Sequence, residues 1–313
     1  MPAVPAFLKN PTLLLTITAM LWAGNVVFGK AAVDHISPMV LTFMRWAIAL
    51  AVIAVVGRHH IRKDWPVLKS RWRYLFVMGG FGYCVFNIML YSALRYTSPV
   101  NATIEQSATP LFIFVLNFLI FRTLLTGLQA FGYALTVAGV VICATYGEPL
   151  KLFSAGTGVL NRGDVLVIVS ALIYALYSVS LRARPDVHWI SFLAALIAGS
   201  LVCSTVAVSY EIITDTAIWP TTLIGIGTAV YAGLFPSLLS QGFFMVGVAA
   251  IGANRAGLYV NIVPVFAALF AVLFLDEQLF AYHAIAFILV VGGVMLAQRT
   301  AAAPTPTPRT PAA

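Results

Sequence analysis

The chain has 313 residues, of which 61% are hydrophobic and only 9% charged, with a mean hydropathy of +0.96. A soluble domain averages roughly 25% charged residues, so the polar shell of a water-soluble globule is missing and lipid is the expected solvent. The net charge of +8 would suggest nucleic acid in a soluble protein; here most cations sit in short connections between apolar runs, where they act as membrane-topology signals and no nucleic-acid partner is expected.

Apolar runs long enough to span a bilayer are predicted at about 12–33, 38–57, 74–95, 99–121, 127–146, 164–182, 188–210, 221–246, 254–275 and 279–298. The breaks between them carry turn or charge signals such as HISP, YTSP, RARPD and LDEQ, and RHHIRKDWPVLKSRWR is read as a charged connection. Ahead of the first run, MPAVPAFLKNPT has one cation and two prolines, and no cleavable leader is expected there. After Gln298 the Pro/Thr/Ala-rich tail is expected to be disordered over 301–313. Cys84, Cys143 and Cys203 are odd in number, widely spaced and set in apolar runs, which fits neither a disulfide nor a metal site.

The first run contains GNVVFGK, which spells the start of a phosphate-binding loop. That loop needs a preceding strand and a Ser or Thr after the Lys, whereas Ala31 follows Lys30 here. Helical backbone N–H groups are already bonded and cannot cradle phosphate. What remains is a stripe of Thr18, Trp22, Asn25 and Gly29 on one helix face. An unpaired amide is expensive in hydrocarbon, so Asn25 must face protein or a wet cavity. The competing reading is a plain interhelical hydrogen bond. Gly24 and Gly29 are read as packing positions, and Lys30 as a marker of the far membrane interface.

In the second run stands Arg45, and in the third Tyr83, Asn87 and Tyr91 are spaced by four. Aromatic rings with polar tips on one inner face suit an amphipathic ring substrate; an interfacial aromatic belt is the alternative. The fourth and ninth runs each hold a central proline, Pro110 and Pro264, which can kink the helix and free a carbonyl near the midplane. Near them lie Glu105 and Gln106, and Tyr259 and Asn261. Glu105 is the candidate for proton coupling or amine recognition, with Arg45 as a possible charge partner; a structural Glu–Arg pair or a snorkelling arginine is the competing account. Tyr174 and Tyr177 in the sixth run, and Gln241 in the eighth, are further candidates for cavity lining. The fifth and tenth runs are Gly- and Ala-rich and suit packing or a subunit contact.

Ten spans put both termini on one side. Lys9, Arg58, Arg62, Lys63, Lys69, Arg71, Arg73, Arg122, Arg182, Arg184, Arg255, Arg299 and Arg309 fall on that side, 13 of the 18 Lys+Arg. Both termini are therefore predicted cytoplasmic, in the inner membrane of a bacterium. The chain also repeats: at an offset of 154, TPLFIFVLNFLIF (109–121) lies over VPVFAALFAVLFL (263–275). At an offset of 152, TAMLWAGNVVFGK (18–30) lies over SALIYALYSVSLR (170–182), so Trp22 meets Tyr174. The predicted fold is an all-α polytopic membrane protein of ten helices, built as two inverted five-helix repeats over 1–150 and 151–300, since an odd number of spans per half turns the second upside down. Such repeats recur in transporters, with the substrate site near the midplane between halves.

WAGNVVFGK, FMRWAIAL (43–50), ALRYTSPVNATIEQSATPLF (93–112) and GVAAIGANRAGLYVNIVPVFAALFAVLFLDEQL (247–279) together resemble the drug/metabolite transporter superfamily, in its ten-helix EamA-type branch. The resemblance covers almost the whole chain and departs from the branch at one loop, where FRTLL puts Arg122 in place of the acidic turn seen in LDEQL. Within the branch, the loading of Trp and Tyr is most similar to bacterial exporters of aromatic and other amphipathic amino acids. The resemblance implies a secondary transporter exporting small amphipathic solutes by alternating access, with aromatic and other neutral amino acids as the leading candidates and a multidrug or other metabolite carrier as the alternative. The expected partners are that solute and membrane lipid, with no cofactor. An intramembrane enzyme is not expected, since His35, His59, His60 and His188 lie in loops or at span ends and His283 stands alone just inside a span. A channel would not need inverted halves.

Overall fold

The computed structural model describes residues 10–122, 126–150 and 161–299; the tail expected to be disordered lies outside them. All regular structure among these residues is helical. Ten helices are long and apolar enough to cross a membrane: span 1, Pro11–Ala31; span 2, Pro38–Val56; span 3, Trp72–Ala93; span 4, Pro99–Phe121; span 5, Gly127–Ala144; span 6, Arg162–Ala183; span 7, Trp189–Ile213; span 8, Leu223–Ile251; span 9, Arg255–Leu275; span 10, Ala281–Gln298. Each predicted run has its helix, and the ends differ by a few residues. The chain is an integral membrane protein.

Local chemistry sets where the helices start. Asn10, Ser98, Thr126 and Thr222 each accept a backbone N–H from the first turn of the helix that follows. Proline occupies the first position of spans 1, 2 and 4, where its missing N–H costs nothing. Glu211, in the last turn of span 7, accepts from Ser37 Oγ at 2.5 Å and from the Met39 and Val40 N–H groups, so it caps span 2.

RHHIRKDWPVLKS is an amphipathic helix, Arg58–Ser70, where a charged connection was expected. Its single buried residue is Leu68, while Trp65 stays exposed beside the cations. Low hydropathy and Pro66 hide this helix from a search for apolar runs.

Breaks inside the spans repeat at the 154-residue offset. Span 4 is interrupted between Gln106 and Thr109, and the helix of span 9 between Val260 and Val263. Both second segments end on a left-handed residue, Arg122 and Asp276, each at φ 53°. Pro110 and Pro264 lie in the first turn after the break, so the helix stops just ahead of the proline. Spans 3 and 8 contain π-helical turns, Gly80–Val85 and Phe235–Leu239. Such turns insert one residue into the helix and re-aim the side chains that follow. Gly79 and Gly233, also 154 apart, let backbones approach: a Cβ on Gly79 would sit 3.0 Å from Ser200 N, and one on Gly233 3.1 Å from the Arg45 carbonyl.

Spans 5 and 10 pack along their whole lengths through Gly132, Thr136, Gly139, Val290 and Gly293. The other eight spans surround the centre. At the far face, opposite the N-terminus, the first half of span 4 packs on span 1 and on the second half of span 9. At the N-terminal face, the second half of span 4 lies along span 6 and makes no comparable contact with the first half of span 9. The bundle is shut at one end and parted at the other.

Candidate functional site

A cavity of about 310 Å³ occupies the parted region. Its deep end holds Asn25, Arg45, Asn87 and Leu90, and its lining continues through Gln106, Pro110 and Ile113 to Gly257, Val260 and Gln298. Pro110, Ile113, Gly257, Val260 and Gln298 lie in the N-terminal-face halves of spans 4, 9 and 10, so the cavity runs from the middle of the bundle toward that face.

Arg45 organises the deep end. It is 6% exposed and reaches into a site made by spans 1, 3 and 8. Its Nε donates to Ser237 Oγ at 2.7 Å. Its Nη1 donates to Asn87 Oδ1 at 2.6 Å, Tyr91 OH at 2.7 Å and Asn25 Oδ1 at 3.2 Å. Tyr91 OH in turn donates to Asn25 Oδ1 at 2.8 Å, and Asn87 Nδ2 to the Tyr83 carbonyl at 2.6 Å. Every one of these acceptors is neutral. The π-helical turn of span 8 makes the first contact possible, because Ser237 sits within it and is anchored to the Ala232 carbonyl.

Aromatic rings form the walls. The Arg45 guanidinium lies 4.7 Å over the Trp46 ring, and Trp46 stacks on Tyr83 with centroids 5.0 Å apart and planes at 13°. Trp22 meets Phe244 at 5.4 Å and Phe86 meets Tyr174 at 5.3 Å. Parallel and tilted rings around one cation make a site that is apolar in area and positive at one end.

The sequence candidates divide cleanly. Trp22, Asn25, Arg45, Tyr83, Asn87 and Gln106 line the cavity, as do Pro110, Tyr174, Gln241 and Asn261. Tyr91 stands behind the lining and bonds Arg45. Tyr177 also stands behind it, with its hydroxyl 3.5 Å from that of Tyr83. Tyr259 and Pro264 are not in the lining. Trp22 and Tyr174, equivalent in the repeat, both line the cavity, whereas Asn25 and Tyr177 do not share it.

Glu105 does not meet Arg45. It is 1% exposed, turns toward span 6, and faces the carboxyl of Asp164, itself fully buried. Neither Glu105 oxygen accepts from an N–H or hydroxyl among the described residues, and its side-chain partner is the carboxyl of Asp164. Asp164 belongs to the N-terminal cap of span 6, where it accepts the Asn161 N–H at 3.3 Å. Asp164, Trp46, Phe86 and Phe244 escaped the reading of the sequence. Asp164 looks like an interfacial cap, and single aromatic residues in apolar runs carry no pattern that separates lining from packing.

The far face is closed by polar contacts. Lys30 Nζ donates to the carbonyls of Leu94 at 2.7 Å and Thr97 at 3.1 Å. Glu277, in the connection between spans 9 and 10, interacts with Ser98 and Lys30, and burial holds its carboxyl above the usual carboxylate range. Asn101 Oδ1 lies 3.0 Å from His283 Nε2, tying span 4 to span 10.

A ten-span helical bundle, broken at matched places in its two halves and enclosing a cavity that is shut at one face and open toward the other, has the form of a membrane transporter. The chain belongs to the EamA-like transporter family, whose model matches residues 10–145 and again 161–298. An uncharacterized transporter of Archaeoglobus fulgidus is 26% identical over 289 residues, covering 91% of this chain and 96% of that one. The uncharacterized transporter YyaM of Bacillus subtilis is 27% identical over 279 residues, covering 86% and 87%. A solved structure, described only as a crystal structure of a protein, shares the fold with a TM-score of 0.62 at 20% identity, covering 94% of this chain and 99% of its own.

Proposed function

We propose that the protein is a secondary transporter that exports small amphipathic solutes, with aromatic and other neutral amino acids as the leading candidates, by alternating access of the central cavity between repeats at 1–150 and 151–300. The observation that carries this reading is the cavity: aromatic walls, amide and arginine groups at the deep end, and one closed face. Paired breaks in spans 4 and 9 give each half a segmented helix beside the cavity, and Pro110 and Pro264 keep those segments from fusing. The cation bias of the loops supports cytoplasmic termini in a bacterial inner membrane, so the open face is the cytoplasmic one.

Glu105 and Asp164 supply a route for proton coupling. Two carboxyl groups facing each other away from water repel when both are charged, which makes the pair a candidate for taking up and releasing a proton during transport. Gln106, the next residue, lines the cavity and reaches Ser170 on span 6, which links that proton to the break in span 4. Reconstituted vesicles preloaded with unlabelled tryptophan, phenylalanine, threonine or a quaternary amine test the reading by counterflow. Saturable counterflow of an aromatic amino acid is expected; flux without counterflow refutes a carrier. An imposed pH gradient is expected to drive wild-type flux, and Glu105→Gln to lose that response while keeping counterflow. Wild-type flux that ignores the gradient refutes coupling.

A further inference from the structure

Arg45 is the sole charged side chain in the described lining of the cavity. A buried guanidinium is normally matched by a carboxylate, because leaving it unmatched in hydrocarbon is costly. Here Nε and Nη1 are satisfied by neutral oxygens of Asn25, Asn87, Tyr91 and Ser237, and Nη2 has no acceptor among the described residues. Those neutral bonds hold the planar fork in place and leave its charge uncompensated. Two buried carboxyls, Glu105 and Asp164, face each other on the span 6 side and do not answer it.

The acceptors beside Arg45 are also committed. Asn25 Oδ1 already accepts from both Arg45 and Tyr91, and Asn87 Oδ1 accepts from Arg45. In an α-amino acid the ammonium sits on the carbon next to the carboxylate. A carboxylate docked on Nη2 would hold that ammonium against the arginine, with no acid in the described lining to receive it and only the neutral amide oxygens of Gln106, Gln241 and Asn261 elsewhere in the cavity. The cavity is thus charged for an anion and offers the ammonium of a zwitterion no opposite charge, so an amino acid is accepted less well than the matching anion.

We propose that the preferred solutes are aromatic monocarboxylates of net charge −1, with the carboxylate on Arg45 and the ring between the Trp46–Tyr83 stack and the Trp22–Phe244 pair. The proposal rests on the cavity being the transport site, and it ranks the deaminated acid above the corresponding amino acid. Arg45 is at once the brace of spans 1, 2, 3 and 8 and the selectivity element.

The test is a series on one carbon frame, offered to the full-length protein in vesicles and detergent at neutral pH: 3-phenylpropionate, phenylalanine, 3-phenylpropanol and 3-phenylpropylamine. Competition against labelled 3-phenylpropionate counterflow and ligand-induced thermal shift are both read. The carboxylate is expected to bind at least about tenfold tighter than the alcohol, which lacks the charge-assisted bond, and than phenylalanine, whose ammonium is held against Arg45 without an opposite charge, with the amine weakest. Arg45→Gln is expected to bring carboxylate and alcohol within about threefold of each other, while Arg45→Lys keeps their order. If Arg45→Gln does not fold, the wild-type ranking alone decides. Phenylalanine binding as tightly as 3-phenylpropionate overturns the proposal and leaves the carrier standing if phenylalanine counterflows. A flat ranking across all four solutes overturns it in favour of an arginine that only braces the bundle. Failure of every member to bind, with no counterflow of any solute, overturns the proposal together with the carrier reading.

Discussion

The contact between spans 5 and 10 gives the sharpest test of the packing. A Cβ added at Gly132 would lie 2.5 Å from the Gly293 carbonyl oxygen and 2.8 Å from Ala297 N, and one at Gly293 would meet the Gly132 carbonyl and Thr136. The nearest obstacle to each is a backbone carbonyl, so rotating a side chain away cannot relieve it. Restoring an ordinary contact of about 3.5 Å means parting the helices by roughly 1 Å, which forfeits about half of the dispersion energy along the seam. Gly132→Ala and Gly293→Ala are each expected to cost about 1–3 kcal/mol, the usual range for overpacking a tight interior. Because one separation relieves both clashes, the double variant is expected to cost less than the sum by at least about 0.5 kcal/mol. Gly292→Ala is the control, since a Cβ there meets nothing within 4 Å. Buried Cys84 and Cys143 make a thiol-reactive dye a direct reporter of thermal unfolding in detergent. Equal melting of Gly132→Ala and Gly292→Ala, or strict additivity of the pair, refutes a backbone-tight seam.

Tyr91→Phe removes the hydroxyl that bridges Arg45 and Asn25, one bond of which is charge-assisted; a loss of about 2–3 kcal/mol is expected in the same thermal assay, and an unchanged melting temperature would show that the network is slack. Glu277 predicts a pH effect. Its carboxyl is held above the ordinary value by burial against the opposing pull of Ser98 and Lys30, so the folded state binds that proton more tightly than the unfolded chain does. Stability then falls as pH rises from the ordinary carboxylate value through the raised one, and is level on either side of that window. Glu277→Gln is expected to flatten that slope, read as melting temperature against pH; an unaltered slope refutes the assignment.

The ten spans were legible because lipid demands long apolar helices and little else has that signature. The breaks of spans 4 and 9 were legible at their prolines, displaced by the two or three residues that proline leaves before it. The π-helical turn of span 3 left no trace, since Gly80–Val85 contains no proline, whereas that of span 8 coincides with Pro236. Within the site, the residue types were legible and their pairing was not. Arg45 and Glu105 are opposite charges in apolar spans, and electrostatics alone would join them. Packing joined each to something else, Arg45 to amide and hydroxyl oxygens and Glu105 to a second acid that the sequence places at a helix end.

The repeat makes that outcome intelligible. At the 154-residue spacing the backbone devices coincide: the breaks, the π-helical turns, the left-handed ends at Arg122 and Asp276, and the close approaches at Gly79 and Gly233. One pair of cavity amides coincides too, Asn87 falling on Gln241, while Asn25, Gln106 and Asn261 have no amide counterpart. The charges do not. Arg45 falls on Gly199, whose own Cβ would come 3.0 Å from the Phe76 backbone, and Glu105 falls on Tyr259. Exchange of two inverted conformations needs only that the backbone of each half can adopt the shape of the other, so selection for movement acts on the devices that coincide. Recognition and coupling would have no such need, because a single anchor and a single proton site can serve both orientations of a cavity. A second arginine at position 199 would have to displace the span 3 backbone, and it would double the positive charge facing one small solute. Symmetric breaks with unsymmetric charges are therefore what a carrier with a single binding site should show.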